Sequence, residues 1–147
     1  MIFSLTREDL KIIGYNLGRV GNLIGVLMLV PIVVAAAYKE FDMIPHFIAA
    51  SAVAFILSNL AIYFFHTENA MGLKHAICVA ALVWIFGMLL TAIPLWSTQS
   101  TGSYLDANFD TMSGFTTTGL TLVPDIDHLP HSVNFYRHYL QFIGGMG

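Results

Sequence analysis

Three long apolar runs, at residues 20–38, 44–65 and 76–96, are separated by short polar connections and set the pattern of the chain. A helix rises about 1.5 Å per residue and needs roughly 20 apolar residues to cross a hydrocarbon core, so each run predicts a membrane-crossing helix. Lys39, Glu40 and Asp42 part the first run from the second; His66, Glu68, Asn69, Lys74 and His75 part the second from the third. Connections this short make neighbouring spans antiparallel. Arg7, Lys11 and Arg19 precede the first run and Lys74 lies between the second and third, against Lys39 and Arg137 on the other side. The bias of positive charge places the N-terminus in the cytoplasm. The first run is long and no small-residue cleavage site follows it, so it reads as a retained span rather than a signal peptide.

Gly14, Gly18, Gly21 and Gly25 fall on one face of the first helix, a seam along which another helix of the same protein can approach closely. Pro31 should bend that helix, because it lacks an N–H and its ring crowds the preceding turn. After Trp96 the pattern changes. Residues 97–102 read as a solvent loop. Leu105, Phe109, Met112 and Phe115 then form a helical stripe, with Ser103 as N-cap and Asp106 three residues on. A helix over 103–115 is only about 18 Å long, so it is expected to be re-entrant or interfacial.

Thr116, Thr117, Thr118, Gly119, Leu120, Thr121, Leu122 and Val123 follow, β-branched residues around one glycine, ending at Pro124. This composition predicts extended backbone. A further apolar helix is expected from near Phe135. Short helix, extended Thr/Gly segment, return and helix together describe a pore loop, in which successive carbonyls can replace the hydration shell of a potassium ion. The helix would turn the negative end of its dipole toward that ion. A surface amphipathic helix followed by a Thr-rich loop fits the same residues equally well.

Composition narrows the classes. Of 147 residues 56% are hydrophobic and 10% charged, with a mean hydropathy of +0.72. Soluble domains carry about 25% charged residues, so lipid is the expected solvent. A net charge of -3 with six Lys+Arg offers no basic face for nucleic acid. No nucleophile with its base, metal cluster or phosphate-cradling loop is recognisable, so enzyme activity is not expected. Cys78 lies in an apolar run and is read as a small hydrophobe. The six histidines raise a second reading, a membrane anchor or haem-binding subunit of a redox complex, but none sits mid-span and all read as interfacial or solvated. Asp125 and Asp127 are read as turn acids. Arg137 is read as snorkelling to the interface, with a pairing to Asp110 of the short helix as the alternative.

The segment SGFTTTG at 113–119, with QFIGGMG at 141–147, resembles the first pore loop and following helix of the Trk/Ktr potassium-transporter superfamily. The resemblance is strong from Phe109 onward and weaker before it. It implies an all-α membrane protein: an N-terminal transmembrane helix pair over residues 1–70, of the kind found in Trk-type subunits, and over 71–147 the first helix–pore loop–helix repeat of a four-repeat, ion-channel-like fold. Thr117, Thr118 and Gly119 match the filter positions at which main-chain oxygens bind potassium, and Thr116 and Leu120 flank them. Gly144, Gly145 and Gly147 are expected to let the last helix pack on the pore helix. The implied function is potassium uptake across the plasma (inner) membrane by a multi-pass subunit, potassium being cargo and no organic cofactor being called for. The implied partners are membrane lipid, the remaining three repeats of the full-length subunit, a second copy in a homodimer, and a cytosolic nucleotide-binding regulatory protein. One pore loop supplies a quarter of such a ring, so the sequence is expected to be a fragment or truncated product of a longer parent.

Overall fold

A computed structural model describes residues 6–146, and the architecture it gives is entirely helical among them. The order is α1 (Arg7–Leu27), α2 (Val30–Ala37), α3 (Ile44–Phe64), α4 (Leu73–Ser97), α5 (Tyr104–Phe115) and α6 (His131–Met146). Three stretches are long and apolar enough to cross a membrane: Arg7–Ala37, Ile44–Phe64 and Leu73–Ser97. Their outward residues include Leu23, Val33, Ile56 and Ile85, each at least half exposed, a distribution suited to lipid and not to water.

The first span begins earlier than its apolar run. Thr6 and Asp9 form a capping box, the Asp9 amide donating to Thr6 Oγ1 at 3.2 Å and the Thr6 amide to Asp9 Oδ2 at 2.8 Å. Helix therefore starts at Arg7, and the polar segment before residue 20 is its first three turns. The bend expected at Pro31 is an interruption at Met28 and Leu29, after which Pro31 sits in the first turn of α2, where its missing N–H is not needed.

The glycine seam packs inside the molecule. A Cβ at Gly18 would meet Ser58 O and Ile62, one at Gly21 would overlap Ser58 Oγ, and one at Gly25 would press on the Phe55 ring. These pairings run antiparallel, and Ser51 Oγ donates to Gly25 O at 2.7 Å across the same seam. Close backbone approach brings dispersion and such interhelical bonds, which drive association where lipid supplies no hydrophobic contrast.

Both ends of this N-terminal pair are tied to the rest by carboxylates. At one end, buried Asp9 meets Lys74 Nζ at 2.6 Å and His75 Nε2 at 2.7 Å at the start of α4. Lys74 and His75 thus belong to a helix's first turn, and His75, read as an interfacial or solvated residue at a span end, is buried at 6% exposure. At the other end, Glu40 caps α6. That helix starts at His131, a turn before the expected Phe135, because its first amides find an acceptor 91 and 92 residues back in the sequence. Ser100 and Thr101, expected in a solvent loop, are buried. The core gathers Met28, Phe47, Ala50, Leu95, Ala107, Val133 and Tyr136, where α2, α3, α4, α5 and α6 converge.

A candidate ion-coordinating loop

Helix α5 runs back down α4. Tyr104 OH donates to Leu89 O at 2.6 Å and the Tyr104 ring meets Trp96 edge-on at 5.8 Å, near the end of α4. At the other end of α5, Phe115 lies against Gly87 and meets Trp84 edge-on at 6.2 Å, about the midpoint of α4. The short helix therefore enters from the Ser97 end and stops halfway, as its length predicts. Its start is the expected one: Asp106 N donates to Ser103 Oγ at 3.1 Å. Helix α6 descends beside it, Tyr136 OH donating to Thr91 O at 2.8 Å, and comes so close at Gly144 that any side chain there would overlap the Phe115 backbone. Gly145 faces the Thr117 methyl, while Gly147 lies outside the described residues.

The five candidate filter residues follow α5 directly and all are exposed. Extended backbone was expected from Thr116, but the first two residues close the helix. Thr116 is its C-cap at φ -78°, and Thr117 turns left-handed at φ 56°. Thr118 N then bonds Ser113 O at 2.9 Å and Thr117 N bonds Gly114 O at 2.9 Å, the two bonds of a Schellman ending. Glycine ordinarily occupies the left-handed position; a β-branched threonine there is strained. Lys39 and Gln99 end α2 and α4 in the same way. Gly119 has φ 78°, the positive value its freedom predicts, with open space around the position of a Cβ. Residues 118–123 form irregular chain with no strand pairing among the described residues.

The loop's hydrogen bonds are one-sided. Amides of Thr116, Thr117, Thr118 and Gly119 all donate back to carbonyls of α5, Gly119 to Ser113 O at 3.4 Å. Leu122 N donates to Asp110 Oδ1 at 3.1 Å. Among the described residues, the main-chain oxygens of Thr116, Thr117, Thr118, Gly119 and Leu120 accept none. Thr116 Oγ1 and Thr118 Oγ1 lie 2.8 Å apart and hold each other. The segment is thus fastened through its donors and leaves its acceptors free, at mid-depth of the neighbouring span.

Asp110 fastens it to α6 as well. Its Oδ2 accepts from Arg137 Nε at 2.8 Å, the two side chains being 2% and 8% exposed. The snorkelling expected of Arg137 does not occur, because a buried carboxylate on α5 offers it a partner. Asp125 and Asp127 are exposed turn residues, and contact with the His128 side chain holds the Asp125 carboxyl below its usual range. No group of three or more His, Cys, Asp or Glu side chains placed to hold a metal occurs among the described residues.

A family model described as TrkH, cation transport protein, matches residues 43–147. The chain belongs to the TrkH family. Its members are cation transporters, not enzymes. An uncharacterized cation transporter of Methanocaldococcus jannaschii is 34% identical over 99% of this TrkH-family chain and 30% of its own length. The Trk system potassium uptake protein TrkG of Escherichia coli is 30% identical over 97% of the chain and 30% of its own length. The Trk system potassium uptake protein TrkH of Halomonas elongata is 39% identical over 56% of the chain. The chain thus spans about 30% of the length of the relatives it matches along nearly all of its own sequence. No solved structure matches it.

Proposed function

We propose that this chain is the N-terminal part of a Trk-type potassium-uptake subunit, and that main-chain oxygens of Thr116, Thr117, Thr118, Gly119 and Leu120 form its first share of a potassium filter. The single observation that carries the reading is the one-sided hydrogen bonding of the loop: the amides of Thr116 to Gly119 are tied back to α5, while the main-chain oxygens of the five exposed residues accept no hydrogen bond among the described residues. A dehydrating cation needs such oxygens, and a segment whose donors are already engaged holds them without reorganising. The C-terminal end of α5 adds negative dipole potential at the same place. Asp110 is not needed as a ligand, since its carboxylate is committed to Arg137 and Leu122 N.

In this reading the remaining oxygens of the ring come from three further repeats of the full-length subunit. The subunit crosses the plasma (inner) membrane with the Asp9 end of the bundle in the cytoplasm and the Ser97 end outside. It acts as a homodimer with a cytosolic nucleotide-binding regulatory protein. Trk potassium uptake proteins among the relatives support potassium as the cargo. The test is rubidium uptake by the full-length transporter in a potassium-uptake-deficient host. Gly119→Asp should abolish uptake at unchanged membrane abundance, and uptake at the wild-type level would remove this loop from the ion path.

A further inference from the structure

Helix α6 lacks a cap of its own: Pro130 precedes it and has no side-chain acceptor, yet its first amides must find partners. Glu40 supplies them from the connection between α2 and α3. The Schellman ending of α2, with Lys39 at φ 61° and Glu40 N bonded to Ala35 O at 2.8 Å, reverses the chain and presents the Glu40 carboxylate to α6. That carboxylate accepts from His131 N at 2.6 Å, Ser132 N at 2.9 Å and Ser132 Oγ at 2.6 Å, and contacts His131 Nδ1 at 3.0 Å. The Tyr38 ring stacks on the His131 ring, 4.2 Å between centroids and 7° from parallel. Ser132 is fully buried, and the Glu40 carboxylate is the acceptor that reaches both its amide and its hydroxyl.

Six residues further along α6, about 9 Å by helical rise, Arg137 holds Asp110, which holds the Leu122 amide just beyond the free oxygens of the loop. We infer that Glu40 is a positioning residue for the ion-coordinating loop: the N-terminal helix pair seats α6 through this carboxylate, and α6 hands the placement to the loop through Arg137 and Asp110. A shift of α6 by about 1 Å would stretch the Arg137 to Asp110 bond beyond hydrogen-bonding distance. The inference rests on the proposed role of the loop, but its first test does not.

Amide hydrogen exchange on the chain in lipid nanodiscs gives that test. Charge-assisted bonds of this kind predict that Glu40→Gln raises exchange at Ser132 and at Leu122 by about tenfold or more, with α1 and the start of α4 unchanged. Unchanged exchange at Leu122 overturns the inference, whatever uptake does. If Glu40→Gln loosens the whole chain, Ser132→Ala, which removes the Ser132 Oγ bond to the carboxylate and little else, decides between the same two outcomes at Leu122. The second arm is the potassium-over-sodium preference of rubidium uptake by the full-length transporter at matched abundance. A lowered preference with Glu40→Gln supports positioning; an unaltered preference despite faster exchange at Leu122 overturns it. Faster exchange at Leu122 with no ion transport by the wild-type protein supports the physical link and refutes the proposed function instead.

Discussion

Removing one partner of the Asp110 to Arg137 pair should cost far more than losing a surface ion pair. Both side chains are almost fully buried, and Asp110 bridges α5, α6 and the loop through Arg137 Nε and Leu122 N. Arg137→Met keeps much of the bulk but leaves a buried carboxylate with one backbone donor. Stranding a buried charge costs about 3–5 kcal/mol, a large share of the 5–15 kcal/mol that holds a typical domain together. Asp110→Asn should cost comparably, since the arginine is then the stranded charge. The double variant removes both charges, so its cost should fall short of the sum by about 1–3 kcal/mol. The assay is a double-mutant cycle on reversible unfolding in mixed micelles, with exchange at the Leu122 amide read in parallel. Additive costs with an undisturbed Leu122 amide would show that the pair neither couples the helices nor holds the loop.

Other outcomes follow from the same geometry. Gly18→Leu should push α1 off the Ser58 and Ile62 backbone and lower thermal stability by about 1–3 kcal/mol, whereas Gly72→Ala, whose Cβ would meet only His75 Nδ1 at 3.7 Å, should cost less, through the poorer N-cap of α4 alone. Burial pushes the Glu40 carboxyl up, but the bonds from Ser132 and His131 outweigh this and leave it below the ordinary 4.5. Its contribution to the fold is therefore present above about pH 4.5 and lost as pH falls through the lower folded-state value; unfolding followed against pH should lose this acid-dependent part in Glu40→Gln. In a Cys78→Ala background, an impermeant thiol reagent outside the cell should label Gln99→Cys and miss Asn69→Cys, both exposed positions at opposite ends of α4; the reverse would invert the orientation.

The spans, the short returning helix, its Ser103 cap and the positive φ at Gly119 are all local properties, and periodicity and side-chain chemistry made them legible. The early start of α1 was legible too, since Thr6 and Asp9 stand at capping-box spacing, but the apolar run drew the boundary at residue 20 instead. What was not legible depends on distant partners. Nothing near His131 says that a helix begins there, because the capping acid is 91 residues away. Arg137 reads first as snorkelling, and its pairing with Asp110, 27 residues away, stands only as the alternative because nothing local to Arg137 chooses between the two. Thr117 goes against its own propensity: only the packing of α6 against the end of α5, with Gly145 facing its methyl, accompanies a left-handed β-branched residue where glycine would be expected.

Ion selectivity tests most directly whether the oxygens of Thr116, Thr117, Thr118, Gly119 and Leu120 bind the ion. Gly119→Ser adds a Cβ at φ 78° where nothing lies within 4 Å, so it perturbs backbone angles without a packing clash. Thr118→Val removes only a hydroxyl that already bonds Thr116 and leaves the main-chain oxygen in place. Rubidium uptake under sodium competition, in the full-length transporter at matched abundance, should show a lowered potassium-over-sodium preference for Gly119→Ser and a smaller change for Thr118→Val. An unchanged preference in Gly119→Ser would contradict the assignment of this loop to the filter.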